Sequence, residues 1–435
     1  MLRLLIPLII EQILGVTIGI ADTVMVASLG EAAVSSVSIV DNINLLLIQI
    51  FTSLASGGAV IAAQYIGRGD ADSANDSAKQ LLYTSVILTF GVMFFSLAFN
   101  KTILKFIYGG IEADVMSNAE IYYYITAVSY PFLAVYNACA AIYRAMGNSR
   151  APMLISALMN AINICGNALF IFGAGIGVAG AAAATLISRA AGAVIMLFLI
   201  CGTNNVIRIE KIFRFKFNTG MIKKVLKIGV PNGLENGMFQ IGKLLVASLI
   251  TTFGTASIAA NAICGIVTGM ALIPGSAIGI AMITVVGQCV GAKEYGQAAA
   301  YTRKLMFAMY AAMFFLNVML FVFTRQFVDI FGLSPYAADL SSEVLKIYAV
   351  AGTLVWPISF GLPNALRAAG DAKFTMITSV ISMWLFRIAF SYILIYLFRL
   401  QLHGVWIAMY IDWIFRSSVF VVRFARGKWK KLKVI

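Results

Sequence analysis

LRLLIPLIIEQILGVTIGIADTVMVASL, residues 2–29, is an apolar run interrupted inside by two carboxylates, Glu11 and Asp22. A helix needs about 20 apolar residues to cross a hydrocarbon layer of about 30 Å, so the run is long enough to span a bilayer. A charge in the middle of such a segment costs roughly 2.5 to 3.5 kcal/mol on insertion scales, which makes Asp22 a functional candidate. Composition extends the reading to the whole chain. Of 435 residues 61% are hydrophobic and only 11% charged, with a mean hydropathy of +0.92, against about 25% charged in soluble proteins. The fold class is an all-α membrane protein with twelve transmembrane helices, at about 2–28, 37–63, 80–99, 121–143, 153–173, 178–201, 223–251, 259–284, 301–323, 342–366, 374–398 and 403–424. Several spans run long, which predicts tilt or kinks at Pro7, Pro131, Pro231, Pro274, Pro357 and Pro363. The apolar runs are continuous rather than alternating, which excludes a β-barrel.

The formal net charge of +14 does not point to nucleic acid, because the basic residues fall mostly in alternate gaps. Arg3, Arg68, Lys79, Arg144, Arg150, the run from Arg208 to Lys227, Lys293, Arg303, Lys304, Arg367, Lys373 and the tail from Arg423 share one side. Lys101, Lys105, Arg325 and Arg399 lie on the other. By the positive-inside rule the rich side, with both termini, is cytoplasmic, and the expected location is a plasma membrane, the inner membrane of a bacterium. The basic tail anchors topology or lies on anionic lipid headgroups. The first segment has no small-residue cleavage site after a short apolar core, so it reads as a retained span.

Cys139, Cys165, Cys201, Cys264 and Cys289 are scattered, and the single histidine, His403, sits at a span edge. No cluster has metal-ligand spacing, so no metal or haem cofactor is expected. An integral membrane enzyme acting on lipid would need a nucleophile with a base, or a metal cluster, and neither is legible.

The chain repeats itself. A shift of 224 pairs Arg3 with Lys227, Pro7 with Pro231, Glu11 with Glu235, Gly30 with Gly254, Gln64 with Gln288, Gly67 with Gly291 and Asp70 with Glu294. Arg144-Ala-Met-Gly147 resembles Arg367-Ala-Ala-Gly370, and Gly177, Val178 and Arg189 match Gly404, Val405 and Arg416. The expected organisation is a six-helix lobe over 1–201, a basic cytoplasmic linker over 202–222, a second six-helix lobe over 223–424 and a basic tail over 425–435. Six is even, so the repeats are parallel, and such lobes usually flank a substrate path. The repeated loops after Gln64 and Gln288 lack the Lys-Ser/Thr of a phosphate loop and read as glycine turns at helix ends. Without a nucleotide module, energy must come from an ion gradient or a partner.

These features together resemble the multidrug and toxic compound extrusion (MATE) transporters. The likeness spans all twelve segments. It rests on Ile20-Ala-Asp-Thr-Val-Met-Val-Ala-Ser-Leu-Gly30, Gln64-Tyr-Ile-Gly-Arg-Gly-Asp70, Tyr143-Arg-Ala-Met-Gly-Asn-Ser-Arg150, residues 163–180, Gly229-Val-Pro231 and Leu366-Arg-Ala-Ala-Gly-Asp-Ala-Lys373. The resemblance implies two lobes around a V-shaped central cavity. It also implies an antiporter that expels organic, mostly cationic compounds in exchange for Na⁺ or H⁺. The family equivalents of Asp22, Asn163 and Asn167 are cation-linked, and some members have Asp where this chain has Asn167.

The residues themselves support a cation site in the first lobe. Asn160, Asn163 and Asn167 fall at i, i+3 and i+7 on one helix face. Thr185 ends the small-residue run Gly180-Ala-Ala-Ala-Ala-Thr185, which permits close helix approach. One carboxylate with neutral oxygens suits a hard cation, so Na⁺ at Asp22, Asn163 and Asn167 is the candidate metal site. The competing reading is a polar packing network. The repeat puts Val246 where Asp22 would recur, so the halves are not chemically equivalent.

The second half carries Glu235, Lys243, Arg387, Asp412 and Arg416 instead, and Asp412 and Arg416, at i and i+4, read as a structural ion pair. Glu11, Glu235, Lys243, Arg387 and Asp412 are the candidate substrate-cavity residues. The two Glu either attract organic cations or interact with backbone freed near Pro7 and Pro231. The function expected is a rocking-type secondary antiporter acting as a monomer, with small organic cations and membrane lipids as partners. The alternative is a lipid-linked oligosaccharide flippase of the related superfamily, which would need a basic cavity.

Overall fold

The computed structural model describes residues 2–202, 205–209 and 216–435, and every regular element among them is helical. Of the predicted linker, residues 203–204 and 210–215, with Lys211 and Arg214, lie outside the described residues. We number the long segments α1 to α12. The first six are α1 Leu2–Ala27, α2 Glu31–Arg68, α3 Ala71–Ala98, α4 the pair Ala113–Val128 and Tyr130–Ala145, α5 Arg150–Gly173 and α6 Val178–Ile200. The second six are α7 Thr219–Ile250, α8 the pair Thr255–Ala271 and Ile273–Gly291, α9 Tyr295–Val322, α10 Pro335–Ala368, α11 Ala372–Tyr396 and α12 Gln401–Ala425. Among the described residues ten helices are long and apolar enough to cross a membrane, or eleven with the bent pair in α4. Segment α7, with 32 residues, is long enough but carries Lys223, Lys224, Lys227, Glu235 and Lys243.

Proline explains two of the breaks. Pro131 and Pro274 each sit at the start of the second piece of a divided segment, where a missing N–H costs nothing. At the first of them the axis bends by 45°. Pro7 and Pro231 lie inside unbroken helices. Pro357 opens a wide π-helical stretch, Pro357–Gly361, and two more follow the same pattern without proline, Ala168–Gly173 in α5 and Met383–Ala389 in α11. Such widened turns leave backbone carbonyls off register and recur at functional sites.

The chain divides into two compact units, Met1–Gly233 and Leu234–Ile435. In the first, α5 packs on α6 and α1 on α5. Small residues set the spacing: a methyl group at Gly166 would stand 2.9 Å from the Ala184 Cβ. In the second, the Ile273–Gly291 half of α8 packs on α9 and α10, and α12 lies along α10 and α11. The repeated loops are turns, as their glycines suggested. Gly69 has φ 77° and Lys293, its counterpart at a shift of 224, has φ 61°, both left-handed. After α12 the chain turns back, and the Trp429 ring is buried against Phe424, stacked at a centroid distance of 5.2 Å. The tail is thus docked on its own lobe through Trp429.

Candidate functional site

Asp22 sits five residues before the end of α1, about 7.5 Å from it along the axis. This is nearer the helix end than the mid-span position expected. The Asn167 amide Nδ2 donates to the Asp22 carboxylate at 2.5 Å and to the Asn163 Oδ1 at 3.3 Å. Asn163 Nδ2 in turn donates to the Thr185 hydroxyl at 3.2 Å. One chain of hydrogen bonds therefore joins α1, α5 and α6, and Asn163 and Asn167 are fully buried within it. Asn160 is on the same stripe but is spent differently: its Nδ2 donates to the Leu14 carbonyl at 2.7 Å, fastening α1 to α5. The Oδ1 of Asn167 is buried with no hydrogen-bond partner. An orphaned amide oxygen in a membrane interior is costly unless a cation or proton donor completes it. The π-helical stretch begins at Ala168, immediately after it.

The sequence reading passed over the other half of this cluster. Asp41 on α2 accepts from Asn44 Nδ2 at 3.3 Å, and Asn44 Oδ1 accepts from the Tyr130 hydroxyl at 2.7 Å. Arg189 on α6 donates to Ser129 Oγ, at the break in α4, at 2.7 Å. Both Asp41 and Arg189 are within electrostatic reach of Asp22. The same rule that marks Asp22, an ionisable residue inside a span, marks both of these. With two carboxylates against one guanidinium, the cluster has a net charge of −1 when both acids are ionised, a field suited to a small cation. No group of three or more His, Cys, Asp and Glu that could hold a metal occurs among the described residues, so a cation shell here would draw on at most two carboxylates together with neutral oxygens.

Glu11 and Glu235 are not free acids, nor are they held by proline-freed backbone. Arg144 Nη2 donates to Glu11 at 2.5 Å, and Arg367 Nη2 donates to Glu235 at 2.7 Å. Each repeat builds the same buried ion pair from its own matched residues. The expected pairing of Asp412 with Arg416 along α12 is also replaced. Arg387 Nε faces the Asp412 Oδ2 at 3.5 Å, Ser382 donates to the other Asp412 oxygen, and Arg416 Nη2 lies 3.7 Å from Glu235. Helix α11 and helix α7 therefore supply the partners that α12 alone was expected to contain. Lys243 is exposed and, among the described residues, has no ion-pair partner.

The chain as a whole is similar to known proteins. The sequence pattern of the MatE family matches residues 7–169 and 231–393, two stretches offset by the same 224 residues as the repeat. A Thermotoga maritima protein named "Probable multidrug resistance protein NorM" is 27% identical over 100% of this chain and 94% of its own. A Bacillus subtilis protein named "Uncharacterized transporter YisQ" is 26% identical over 93% of this chain and 89% of its own. Among solved structures, one described as MATE in the bent conformation superposes with a TM-score of 0.92 at 21% identity, covering 99% of this chain and 95% of that one. Another, described as the outward-facing conformation of a multidrug resistance MATE family transporter, also gives 0.92 at 21% identity, with 99% and 96% covered. These likenesses fix the fold as twelve helices in two lobes.

Proposed function

The chain belongs to the MatE family, and on that premise we propose that it is a secondary active antiporter that exports organic, drug-like compounds, cations among them, in exchange for Na⁺ or H⁺. The observation that carries the reading is Asn167: its amide nitrogen is bonded to Asp22 while its buried oxygen has no partner. A cation or proton arriving at Asp22 removes the charge that the amide nitrogen serves. The amide oxygens of Asn167 and Asn163 and the Thr185 hydroxyl then supply neutral ligands to Na⁺, or the protonated carboxyl donates to the orphaned oxygen. Either event changes the hold of α1 on α5. The second acid of the cluster comes from α2, as Asp41, rather than from position 167, and Arg189 holds the excess charge to a single unit. The names of the relatives support drug extrusion, and the buried charges that differ between the lobes support an ion-coupled carrier over an enzyme.

The test is efflux of a fluorescent organic cation from sealed vesicles, driven in turn by an imposed Na⁺ gradient and an imposed H⁺ gradient. Asp22→Asn is expected to reduce gradient-driven efflux at least 100-fold while the purified variant keeps its helical spectrum and elution profile. Undiminished efflux by Asp22→Asn would refute the assignment.

A further inference from the structure

The interior of the carboxy-terminal unit has the opposite polarity from the Asp22 cluster. Three cations, Arg367, Arg387 and Arg416, share it with two carboxylates, Glu235 and Asp412, and a fourth, Lys243, lies at its exposed edge. Arg387 and Arg416 are nine-tenths or more buried, and neither is fully bonded. Arg416 Nε and Nη1 have no hydrogen-bond partner, and Arg387 Nε has only the Asp412 carboxylate, at 3.5 Å, too far for a short hydrogen bond. The Lys243 ammonium and the Arg387 guanidinium sit over the same ring, Phe239, at 5.4 and 5.0 Å from its centroid. Arg416 lies 4.4 Å from the centroid of Phe360, whose ring meets Phe239 at 5.9 Å. Three cations are thus drawn along one aromatic surface without an acid for each.

That arrangement is unfavourable as it stands. Like charges on one ring repel, and a buried guanidinium cannot shed its proton to escape, because its charge persists at every relevant pH. A carboxylate in the same position would simply protonate. One relief is an incoming anion, for which the unbonded Nε and Nη1 of Arg416 and the unpaired Lys243 ammonium are available charge-assisted donors. Lys243, exposed at the edge of the cluster, gives such a group a way in.

We propose that Lys243, Arg387 and Arg416 form a binding site for an anionic group, a carboxylate or a phosphate, in the carboxy-terminal lobe. The group belongs either to a soluble organic anion or to a lipid headgroup. The site is independent of the coupling role proposed for Asp22 and extends the substrate class beyond cations.

The test uses the full-length protein in phosphatidylcholine nanodiscs without any gradient. Phe360 stacks on Trp356 at 5.3 Å and meets Trp413 at 5.8 Å, so occupation beside Arg416 should alter tryptophan emission. Benzoate, inorganic phosphate and dihexanoylphosphatidylglycerol are titrated separately, with tetraethylammonium chloride as the ionic-strength control. At least one anionic probe is expected to give a saturable change that weakens tenfold or more in Lys243→Gln and Arg387→Gln and persists in Lys304→Gln, an exposed lysine outside the cluster. A response to benzoate or phosphate identifies a soluble anion; a response to the short-chain lipid alone identifies a headgroup. Absence of a saturable response to all three probes, or equal affinity in Lys243→Gln, overturns the site. Should Arg387→Gln fail to fold, Lys243→Gln still decides, because that side chain is exposed. Asp22→Asn should bind the probes like the parent protein, so failure of the coupling reading would leave this result standing.

Discussion

Glu11 and Glu235 occupy matching positions in the two repeats but sit in different fields. Glu11 faces one guanidinium, Arg144, at 2.5 Å, whereas Glu235 faces two, Arg367 at 2.7 Å and Arg416 at 3.7 Å, in a lobe already rich in cations. Removing one partner of a buried pair leaves the other charge uncompensated, at about 3 to 5 kcal/mol. Glu235→Gln is therefore expected to lower thermal stability more than Glu11→Gln, and Glu235→Gln with Arg367→Gln should recover part of the loss. Scanning fluorimetry of the purified variants in one detergent ranks them, and an equal or reversed order would contradict the charge count. Single residues were legible in proportion to their cost. Asp22 stood out because a carboxylate among apolar residues is expensive, and Asn163 and Asn167 because helical spacing put them on one face. Asp41 and Arg189 are as expensive by the same rule, but Asp41 lies near the start of α2, where a charge reads as interfacial, and Arg189 reads as a marker of the repeat. The partners of Glu11, Glu235 and Asp412 could not be read at all, since each comes from a helix more than 20 residues away in sequence.

Between helices, the contact of α5 with α6 sets how well Asn163 reaches Thr185. Gly166 is packed so closely that an added Cβ would approach the Ala184 Cβ to 2.9 Å, whereas a Cβ at Gly91 in α3 would meet nothing within 4 Å. The same substitution should therefore have opposite signs. Gly166→Ala overpacks the contact, at about 1 to 3 kcal/mol, and is expected to slow efflux by loosening the Asn163 to Thr185 bond. Gly91→Ala removes helix-interior glycine entropy and should stabilise by roughly 0.5 to 1 kcal/mol without affecting efflux. Melting temperature and vesicle efflux on both variants check this, and parallel changes would show that the spacing of α5 and α6 is not limiting. Element limits were legible where chemistry changes abruptly. Proline located the breaks at Pro131 and Pro274, but α2 runs over Glu31–Arg68 where hydropathy marked only 37–63. Hydropathy stops at the edge of the hydrocarbon, and helical hydrogen bonding does not. The π-helical stretches after Asn167 and around Arg387 carry no local signal, because they depend on where a carbonyl finds its partner.

At the level of the whole chain, parity and charge make one joint claim about sidedness. Twelve passages return the chain to the side on which it started, and the basic loops with Arg3, Lys293 and the tail lie on that side. Lys101, Lys105, Arg325 and Arg399 mark the other face, and three carboxylates, Glu120, Asp329 and Asp339, already pair with Lys101 and Arg325. The rule responds to uncompensated Lys and Arg in short loops, so pairing on the poor side deepens the contrast. We expect the tail to be cytoplasmic even though it folds back through Trp429, because its lysines remain exposed. With the five native cysteines replaced, Lys105→Cys should react with a membrane-impermeant maleimide in intact cells. Lys428→Cys should react only after permeabilisation. Both positions lie outside the twelve segments, so a lack of labelling would not come from burial in lipid. Reaction of both in intact cells would mean that the number of passages between them is even, which removes one crossing from the fold and breaks the parity that makes the two lobes parallel.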